Sequence, residues 1–230
     1  MFKTRYEARA ARPQPQLVTR DTDRPPAPST TTQQRMDVTI ADDGALFLLP
    51  DPVTCFRAAS YNQIQTFRLS VGASLVLLDW FTSGRMSLGE QWAFSRYYSA
   101  NEVWVGGRRV TKDVMLLEDA ELFPVGGALS ERTLVDRLAP YSCYATLILC
   151  GPLLRGVIDD LTARCESTIV FKTRSPASLI WSLSGLDQSR KACVVRVAAT
   201  TTEGVKGWLR DALQGLESLV GIDVFRRAFA

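Results

Sequence analysis

From Arg35 onward, turn-forming residues divide the sequence into segments of strand length, and this punctuation limits the fold more than any other feature. Apolar or alternating segments of five to nine residues between Gly, Pro, Asp and Asn are typical of β-strands. We predict strands at Met36–Ile40, Ala45–Leu49, Gln63–Leu69, Ala73–Trp80, Asn101–Val105, Arg108–Met115, Tyr141–Leu149, Ser167–Lys172, Ser178–Leu183 and Ala192–Ala199. The predicted fold class is mainly β (α+β), with many short, mostly antiparallel strands in a layered-sheet or β-helix-like body.

The pair Gly106-Gly107 separates two of these strands. A two-residue glycine loop between strands is typical of a type I′ or II′ hairpin, because such turns need positive φ angles. No helix follows the two glycines, so they predict a hairpin and not a phosphate-binding loop.

Two helices stand out against this background. Pro152 fits the first position of the earlier helix. Its apolar residues recur at helical spacing and are Leu153, Leu154, Val157, Ile158 and Leu161. A capping box of Thr200 and Glu203 predicts the start of the second helix, Thr202–Leu219, and Gly221 suits its end. An apolar stripe along this helix favours packing on a sheet over a role in binding a partner.

The first 34 residues differ from the rest in composition. They are rich in Pro, Thr and Arg, which predicts a flexible segment at 1–34 before a single β-rich domain at 35–230. Residues 1–35 hold seven basic and three acidic side chains, whereas the remainder holds 20 and 21. The domain therefore offers no basic stripe for nucleic acid, and no apolar run is long enough to span a membrane.

The sequence contains no histidine, which excludes Ser-His-Asp and Cys-His catalysis and every histidine-ligated metal site. Its five cysteines are scattered and form no C-x-x-C pair. With no secretory signal at the start, we expect free thiols in a reducing compartment and a cytoplasmic protein.

Three carboxylates invite closer attention: Asp51 between two prolines, Asp79 at the end of an apolar strand, and Glu90 after a glycine. Ion pairing, for instance with Arg85, and turn capping are ordinary explanations for such residues. Nothing in the sequence places two carboxylates together in a substrate pocket, and phosphate-binding and nucleophile motifs are absent. We therefore predict that the protein is not an enzyme.

Several segments together resemble the urease accessory protein D (also called H) family. The segment Leu48–Phe56 resembles one family motif through Pro50, Asp51, Pro52, Val53 and Thr54. The apolar strand Ala73–Trp80 is followed by Gly84, Arg85, Gly89 and Glu90, which resemble a second motif. The similarity continues in register through the hairpin, the strand Val194–Ala198 and the segment Gly221–Asp223.

This resemblance implies a mainly β scaffold that takes part in urease maturation without catalysing a reaction. It implies complexes with a helical accessory protein (F), with a GTPase (G) and with apo-urease. It also implies that nickel passes as transient cargo through an internal tunnel, with no tightly bound cofactor. Asp51, Asp79 and Glu90 are the candidates for that nickel path.

The start Phe2-Lys3-Thr4-Arg5 resembles the end of a family segment that usually follows a longer N-terminal portion. We expect that portion to be missing here, which would leave strand edges unpaired. Two other functions remain possible at this stage. They are a β-rich interaction or ligand-binding module unrelated to urease, and an enzyme that uses carboxylates alone.

Overall fold

Two β-sheets make up most of the computed structural model, which describes residues 3–7, 31–118, 133–167, 176–186 and 191–229. The five-stranded sheet has the order β1-β2-β5-β7-β8. Its strands are β1 Lys3–Glu7, β2 Thr32–Ile40, β5 Ser60–Leu69, β7 Arg96–Val105 and β8 Arg108–Glu118. The six-stranded sheet has the order β10-β11-β9-β6-β3, and β4 also pairs with β6. Its strands are β3 Ala45–Leu48, β4 Val53–Thr54, β6 Ser74–Thr82, β9 Cys143–Cys150, β10 Leu179–Gly185 and β11 Ala192–Ala199.

The prediction of a mainly β fold is confirmed, and the sheets are mixed. The described strands form five antiparallel and four parallel pairs. The parallel pairs arise because the chain crosses between the sheets: it leaves β5 for β6 in the other sheet and returns to β7. Neighbours in the five-stranded sheet, such as β5 and β7, therefore run in the same direction.

Most predicted strands are present, with ends that shift by a few residues. The interval Ala192–Ala199 matches β11 at both ends. The hairpin joins β7 to β8, and φ is +54° at Gly106 and +80° at Gly107, as a type I′ turn requires. The predicted strand Ser167–Lys172 lies outside the described residues except for Ser167, which follows a helix.

The 1–34 segment is described only at its ends. Lys3–Glu7 pairs antiparallel with β2, and β2 begins at Thr32, before the expected boundary near Arg35. The prediction of flexibility for the residues between them falls outside the described part of the chain.

The described chain has five α-helices, more than the two predicted. They are α1 Leu134–Leu138, α2 Arg155–Glu166, α3 Thr202–Ala212, α4 Glu217–Val220 and α5 Ile222–Ala228. Pro152 opens a 3₁₀ turn that leads into α2. Four of the five apolar residues predicted for this helix are buried, whereas Leu153, in the 3₁₀ turn, is 48% exposed.

The second predicted helix differs from the structure in two respects. It is interrupted at Leu213, after which a 3₁₀ turn leads into α4. This tighter turn keeps both Leu213 and Leu216 fully buried. Its N-cap is Thr201, not Thr200, since Thr200 N–H donates to the carbonyl of Ser178 and thereby extends the strand pairing.

The interior forms separate layers on the two sides of the six-stranded sheet. On one side, α2, α3 and the C-terminal helices cover an apolar core that includes Val76, Leu78 and Trp80 of β6. On the other side, Leu75 and Leu77 of β6 pack against the five-stranded sheet. Within the described residues, none of the helices is long and apolar enough to cross a membrane.

Candidate functional site

Asp79 occupies the inward position of β6 between the two sheets, where the preceding inward residues are leucines. Asn101 Nδ2 of β7 donates to Asp79 Oδ2 at 2.6 Å, and the Ser99 hydroxyl donates to the same oxygen. Gln63 Nε2 of β5 donates to Oδ1 at 3.0 Å, and the Tyr97 hydroxyl lies 3.5 Å from it. The carboxylate is therefore enclosed by neutral donors from the facing sheet.

Strand register extends this polar environment across both sheets. In the six-stranded sheet, Asp79 is in register with Thr146, and Thr146 with Arg196. In the facing sheet, Gln65 is in register with Asn101, and Asn101 with Asp113. The Arg196 guanidinium donates to Asp113 and joins the two sheets at one edge. We call this set the polar layer; its members are Gln63, Gln65, Asp79, Ser99, Asn101, Asp113, Thr146 and Arg196.

Two buried oxygens in the polar layer have no hydrogen-bond donor. Gln65 is 4% exposed and Asn101 is 1% exposed, and neither Gln65 Oε1 nor Asn101 Oδ1 has a partner. Asn101 must direct its amide nitrogen toward the Asp79 carboxylate, so its oxygen is left facing the interior. A buried acceptor without a donor costs free energy, and a water molecule or a cation would satisfy it.

The electrostatics of the layer are negative around Asp79. Burial raises the pKa of Asp79, the hydrogen bonds from Ser99, Asn101 and Gln63 oppose that rise, and the nearby charge of Asp113 adds to it. Among the described residues, Asp79 takes part in no ion pair. The neutral donors therefore solvate the carboxylate without cancelling its charge.

A cavity of about 350 Å³ adjoins the polar layer near the β8 and β10 edges. Thr146, Ser182 and Arg196 supply its polar groups, while Met115, Phe81 and Trp181 are among its apolar walls. Because Arg196 lines the cavity and also binds Asp113, this ion pair lies where the layer meets the surface.

Glu90 lies in a different environment. Arg85 Nη2 and Nε donate to its two carboxylate oxygens at 2.7 and 2.8 Å, and the Arg57 amide donates to it at 3.3 Å. The hydrogen bonds from Arg85 lower the pKa of Glu90. Glu90 thus forms the ion pair that was the ordinary explanation for it.

Asp51 is exposed in its turn, and its neighbours hold the segment in place. The carbonyl of Pro50 accepts a 2.7 Å hydrogen bond from Trp80 Nε1, and the hydroxyls of Thr54 and Thr82 are 2.9 Å apart. The three candidate carboxylates are therefore not brought together. In the described ranges, no group of three or more His, Cys, Asp or Glu residues could hold a metal ion.

The sequence did not single out Asp113, Gln65 or Asn101. Inward positions on β8 alternate as Asp113, Met115 and Leu117, a signal that could have identified Asp113 as an inward carboxylate. The amides gave no such signal, because their role depends on strand register between distant segments.

The cysteines take no part in this layer. All five are free, and burial raises the pKa of the Cys55 thiol to about 11 and of the Cys143 and Cys193 thiols to about 12. These thiols stay protonated at neutral pH and are poor metal ligands.

Similar proteins identify the family to which this chain belongs. Residues 23–226 match the family of the UreD urease accessory protein. The chain is 34% identical over 216 residues to urease accessory protein 4 of Cryptococcus neoformans, covering 90% of this chain and 65% of that protein. It is 31% identical over 211 residues to urease accessory protein D of Oryza sativa, covering 84% and 66%. It is 38% identical over 200 residues to urease accessory protein UreD of Sorangium cellulosum, covering 85% and 57%.

The chain spans between 57% and 66% of the length of these relatives. The matched residues include both motif segments and every strand that contributes a side chain to the polar layer. The resemblance predicted from the motifs is confirmed: the chain belongs to the UreD family of urease accessory proteins.

Proposed function

We propose that this protein is a non-catalytic urease maturation factor that acts in the cytoplasm. It serves as a scaffold in an accessory complex with the helical protein F and the GTPase G, and this complex delivers nickel to apo-urease. Family membership supports the maturation role and argues against a module unrelated to urease. Because GTP hydrolysis resides in a separate partner, this chain needs no phosphate-binding loop.

The observation that carries the nickel role is the polar layer around Asp79. A carboxylate without a cationic partner and two orphan amide oxygens make the space between the sheets favourable for a divalent cation. The described residues do not provide three charged or thiolate ligands together, so binding there is weak. Weak binding suits a passage, because cargo must enter and also leave.

Asp79 is thus the nickel-path candidate with the strongest support, and we propose that nickel passes along the polar layer. Glu90 and Asp51 lie outside that layer, and we assign them structural roles in the ion pair with Arg85 and in the exposed turn. An enzyme that uses carboxylates is less well supported, because Asp113 is bound to Arg196 and Asp79 is enclosed by donors.

The test is urease activation in cells that lack their own D-family gene but carry the urease and remaining accessory genes. The chain is supplied as wild type, as Asp79→Asn or as Asp51→Asn, and the nickel content of purified urease is measured by mass spectrometry. We expect wild type and Asp51→Asn to restore nickel, and Asp79→Asn to restore severalfold less at equal protein level.

Two results would contradict the proposal in different ways. If the wild-type chain leaves urease as poor in nickel as the deletion strain, the maturation role fails. If Asp79→Asn loads urease as fully as wild type, passage along the polar layer fails while the maturation role stands.

A further inference from the structure

The outer edge of β8 has no partner strand in the described part of the chain. β8 is the last strand of the five-stranded sheet, and β7 is its one neighbour among the described strands. Its register with β7 is irregular near Trp104 and regular from Thr111 to Glu118. Along this regular part, every second residue directs its backbone N–H and C=O away from β7. The edge therefore offers a row of donors and acceptors to an added strand.

The six-stranded sheet extends one strand beyond this edge. Arg196 of β11 binds Asp113 of β8, so β11 lies opposite β8, and β10 is the next strand outward. No described strand of the five-stranded sheet lies opposite β10. Ile180 and Ser182 of β10 are in register with Ala198 and Arg196, so they point toward the side on which the five-stranded sheet lies. Both are exposed, Ile180 by 48%, and we call them the uncovered face of β10.

The cavity of about 350 Å³ lies between the β8 edge and the uncovered face of β10. Met115 lines it from β8 and Ile180 from β10, while Phe81 and Tyr144 add aromatic walls. Met115 is an inward residue of β8, so a strand paired with β8 would direct the side chain opposite Met115 into the same space. The cavity is therefore placed to receive one large apolar side chain of an added strand.

The outward side chains of β8 are also apolar at the middle of its regular part. Val114 is 50% exposed and lies beside Ala100 of β7, and Leu116 is 46% exposed and lies beside Tyr98. An added strand would bring its own outward side chains against these two residues. It would thereby remove apolar surface from water on both faces of the sheet.

The charges along β8 favour a carboxylate at one position of the added strand. Lys112 is exposed and forms no ion pair with any described residue. Glu102, which is in register with it, is bound by Arg109. At the other end of the regular part, Glu118 is bound by Arg96. The unpaired charge of this edge is therefore positive, and an acidic side chain opposite Lys112 would complement it.

A second copy of this chain does not fit the edge. If β8 of a second copy paired with β8, the second copy's β11 would lie opposite its own β8. That position is already taken by the β10 of the first copy, so the two six-stranded sheets would overlap. The space beside β8 thus suits a single extended segment and excludes a second sheet sandwich of the same shape.

We propose that the β8 edge binds an extended segment of a partner protein as an additional antiparallel strand. The segment places a large apolar side chain in the cavity opposite Met115, apolar side chains beside Val114 and Leu116, and a carboxylate opposite Lys112. Main-chain hydrogen bonds to β8 supply affinity, and the cavity and Lys112 supply specificity. Antiparallel pairing is the more stable of the two orientations per residue. This inference goes beyond the maturation role and does not depend on it.

The test uses the full chain and a synthetic peptide, Lys-Val-Ile-Phe-Val-Thr-Glu, with blocked ends and a fluorescent label. In antiparallel register its phenylalanine lies opposite Met115, its glutamate opposite Lys112 and its lysine opposite Glu118. Fluorescence anisotropy measures Kd for this peptide and for a scrambled peptide of the same composition. We expect saturable binding of the designed peptide and a Kd at least about tenfold higher for the scrambled one.

Ile180→Ser tests the uncovered face of β10. The matched control is Ile222→Ser, at an isoleucine of α5 that is 46% exposed. We expect Kd for the designed peptide to rise about tenfold for Ile180→Ser, because an apolar contact with the bound strand is lost, and to stay within about twofold for the control. Unchanged urea unfolding midpoints establish that both variants are folded.

A charge exchange tests the register of the bound strand. Lys112→Glu should raise Kd for the designed peptide severalfold, because two carboxylates would then face each other. Replacing the glutamate of the peptide with lysine should restore binding to Lys112→Glu and weaken binding to wild type. A contact made by the apolar side chains alone would not produce this exchange.

Backbone methylation tests whether the peptide binds as a strand. Two further peptides carry N-methyl groups at alternate positions, one at the odd and one at the even residues. Because only every second amide faces β8, one of these peptides should lose binding and the other should keep it.

The alternatives give different results. No binding of the designed peptide up to about 1 mM would overturn the proposal. Equal affinity of wild type and Ile180→Ser would place the peptide elsewhere on the chain. If the two methylated peptides bind equally, the cavity takes up a side chain without strand pairing. A wild-type dimer in sedimentation equilibrium that Ile180→Ser dissociates, with no peptide binding, would assign the edge to a second copy.

Discussion

The two faces of β6 place the same strand in contrasting interiors. On the face toward the helices, Val76, Leu78 and Trp80 enter a core of apolar side chains. On the face toward the five-stranded sheet, apolar packing is interrupted at Asp79, where amides and hydroxyls surround a carboxylate. β6 thus separates an apolar layer, which stabilises the fold, from a layer that contains polar and charged side chains.

This contrast indicates how the fold combines rigidity with a polar interior. The helix-side layer supplies free energy through apolar burial, at about 25 cal/mol per Å² of buried apolar surface. The inter-sheet layer gives up part of that gain, because it buries the Asp79 carboxylate and two amide oxygens without hydrogen-bond donors. Neighbouring residues on β6 should therefore respond differently to substitution.

Leu78→Ala is expected to have the largest effect on stability. Leu78 is 2% exposed in the helix-side layer, and truncation of a buried leucine costs about 2–5 kcal/mol because it leaves a cavity. Urea unfolding measures this loss. Leu219→Ala, at a position that is 44% exposed, serves as the control and should cost less than about 1 kcal/mol. Equal losses for the two variants would show that the helix-side layer is not the stabilising one.

The difference in stability between wild type and Asp79→Asn should depend on pH. Because burial raises the pKa of Asp79, the folded state binds this proton more tightly than the unfolded state. The contribution of Asp79 to wild-type stability is therefore present below the ordinary aspartate pKa and is lost as pH rises through the raised pKa. Each unit of pKa difference corresponds to about 1.4 kcal/mol.

The variant lacks this titration, so wild type should lose stability relative to Asp79→Asn across that pH window. Urea unfolding at a series of pH values measures the difference. Asp51→Asn, at an exposed carboxylate, is the control and should follow wild type. A difference between wild type and Asp79→Asn that stays constant with pH would contradict an uncompensated carboxylate in the polar layer.

Much of the local structure could be predicted from the sequence, because local signals determine it. The hairpin at Gly106-Gly107 depends on two adjacent residues, and β11 lies within one apolar segment. The polar layer instead depends on the register of Asp79 with Thr146 and of Gln65 with Asn101, between segments far apart in the chain. Residue type identified Asp79 as a candidate, but only the three-dimensional arrangement gives it neighbours.

Thr201→Ala tests whether Thr201 is the N-cap of α3. The Thr201 hydroxyl accepts from Gly204 N at 3.0 Å, whereas the backbone of Thr200 still pairs with Ser178. We expect Thr201→Ala to lower the free energy of unfolding by about 1 kcal/mol, since an N-cap is lost. Thr200→Ala should have a smaller effect in the same urea titration. If Thr200→Ala cost more free energy of unfolding than Thr201→Ala, Thr200 would be the N-cap, as the sequence pattern predicted.

Arg196→Met should have the smallest effect on stability and the most specific effect on the inter-sheet layer. The Arg196 side chain is 52% exposed, so loss of its ion pair with Asp113 should cost at most about 1 kcal/mol at neutral pH. Without Arg196, the Asp113 charge is no longer neutralised, and its repulsion raises the pKa of Asp79 further. The loss of stability with rising pH should therefore extend to higher pH than in wild type.

Adding Asp79→Asn to Arg196→Met should abolish this extension, because the titrating group is gone. The double-mutant cycle, measured by urea unfolding across pH, isolates the coupling between the two residues. Arg210→Met, at an exposed arginine on α3, is the control and should leave the pH profile unchanged. If Arg196→Met and Arg210→Met gave the same profile, the ion pair at the sheet edge would be electrically separate from Asp79. The polar layer would then consist of two electrostatically independent parts.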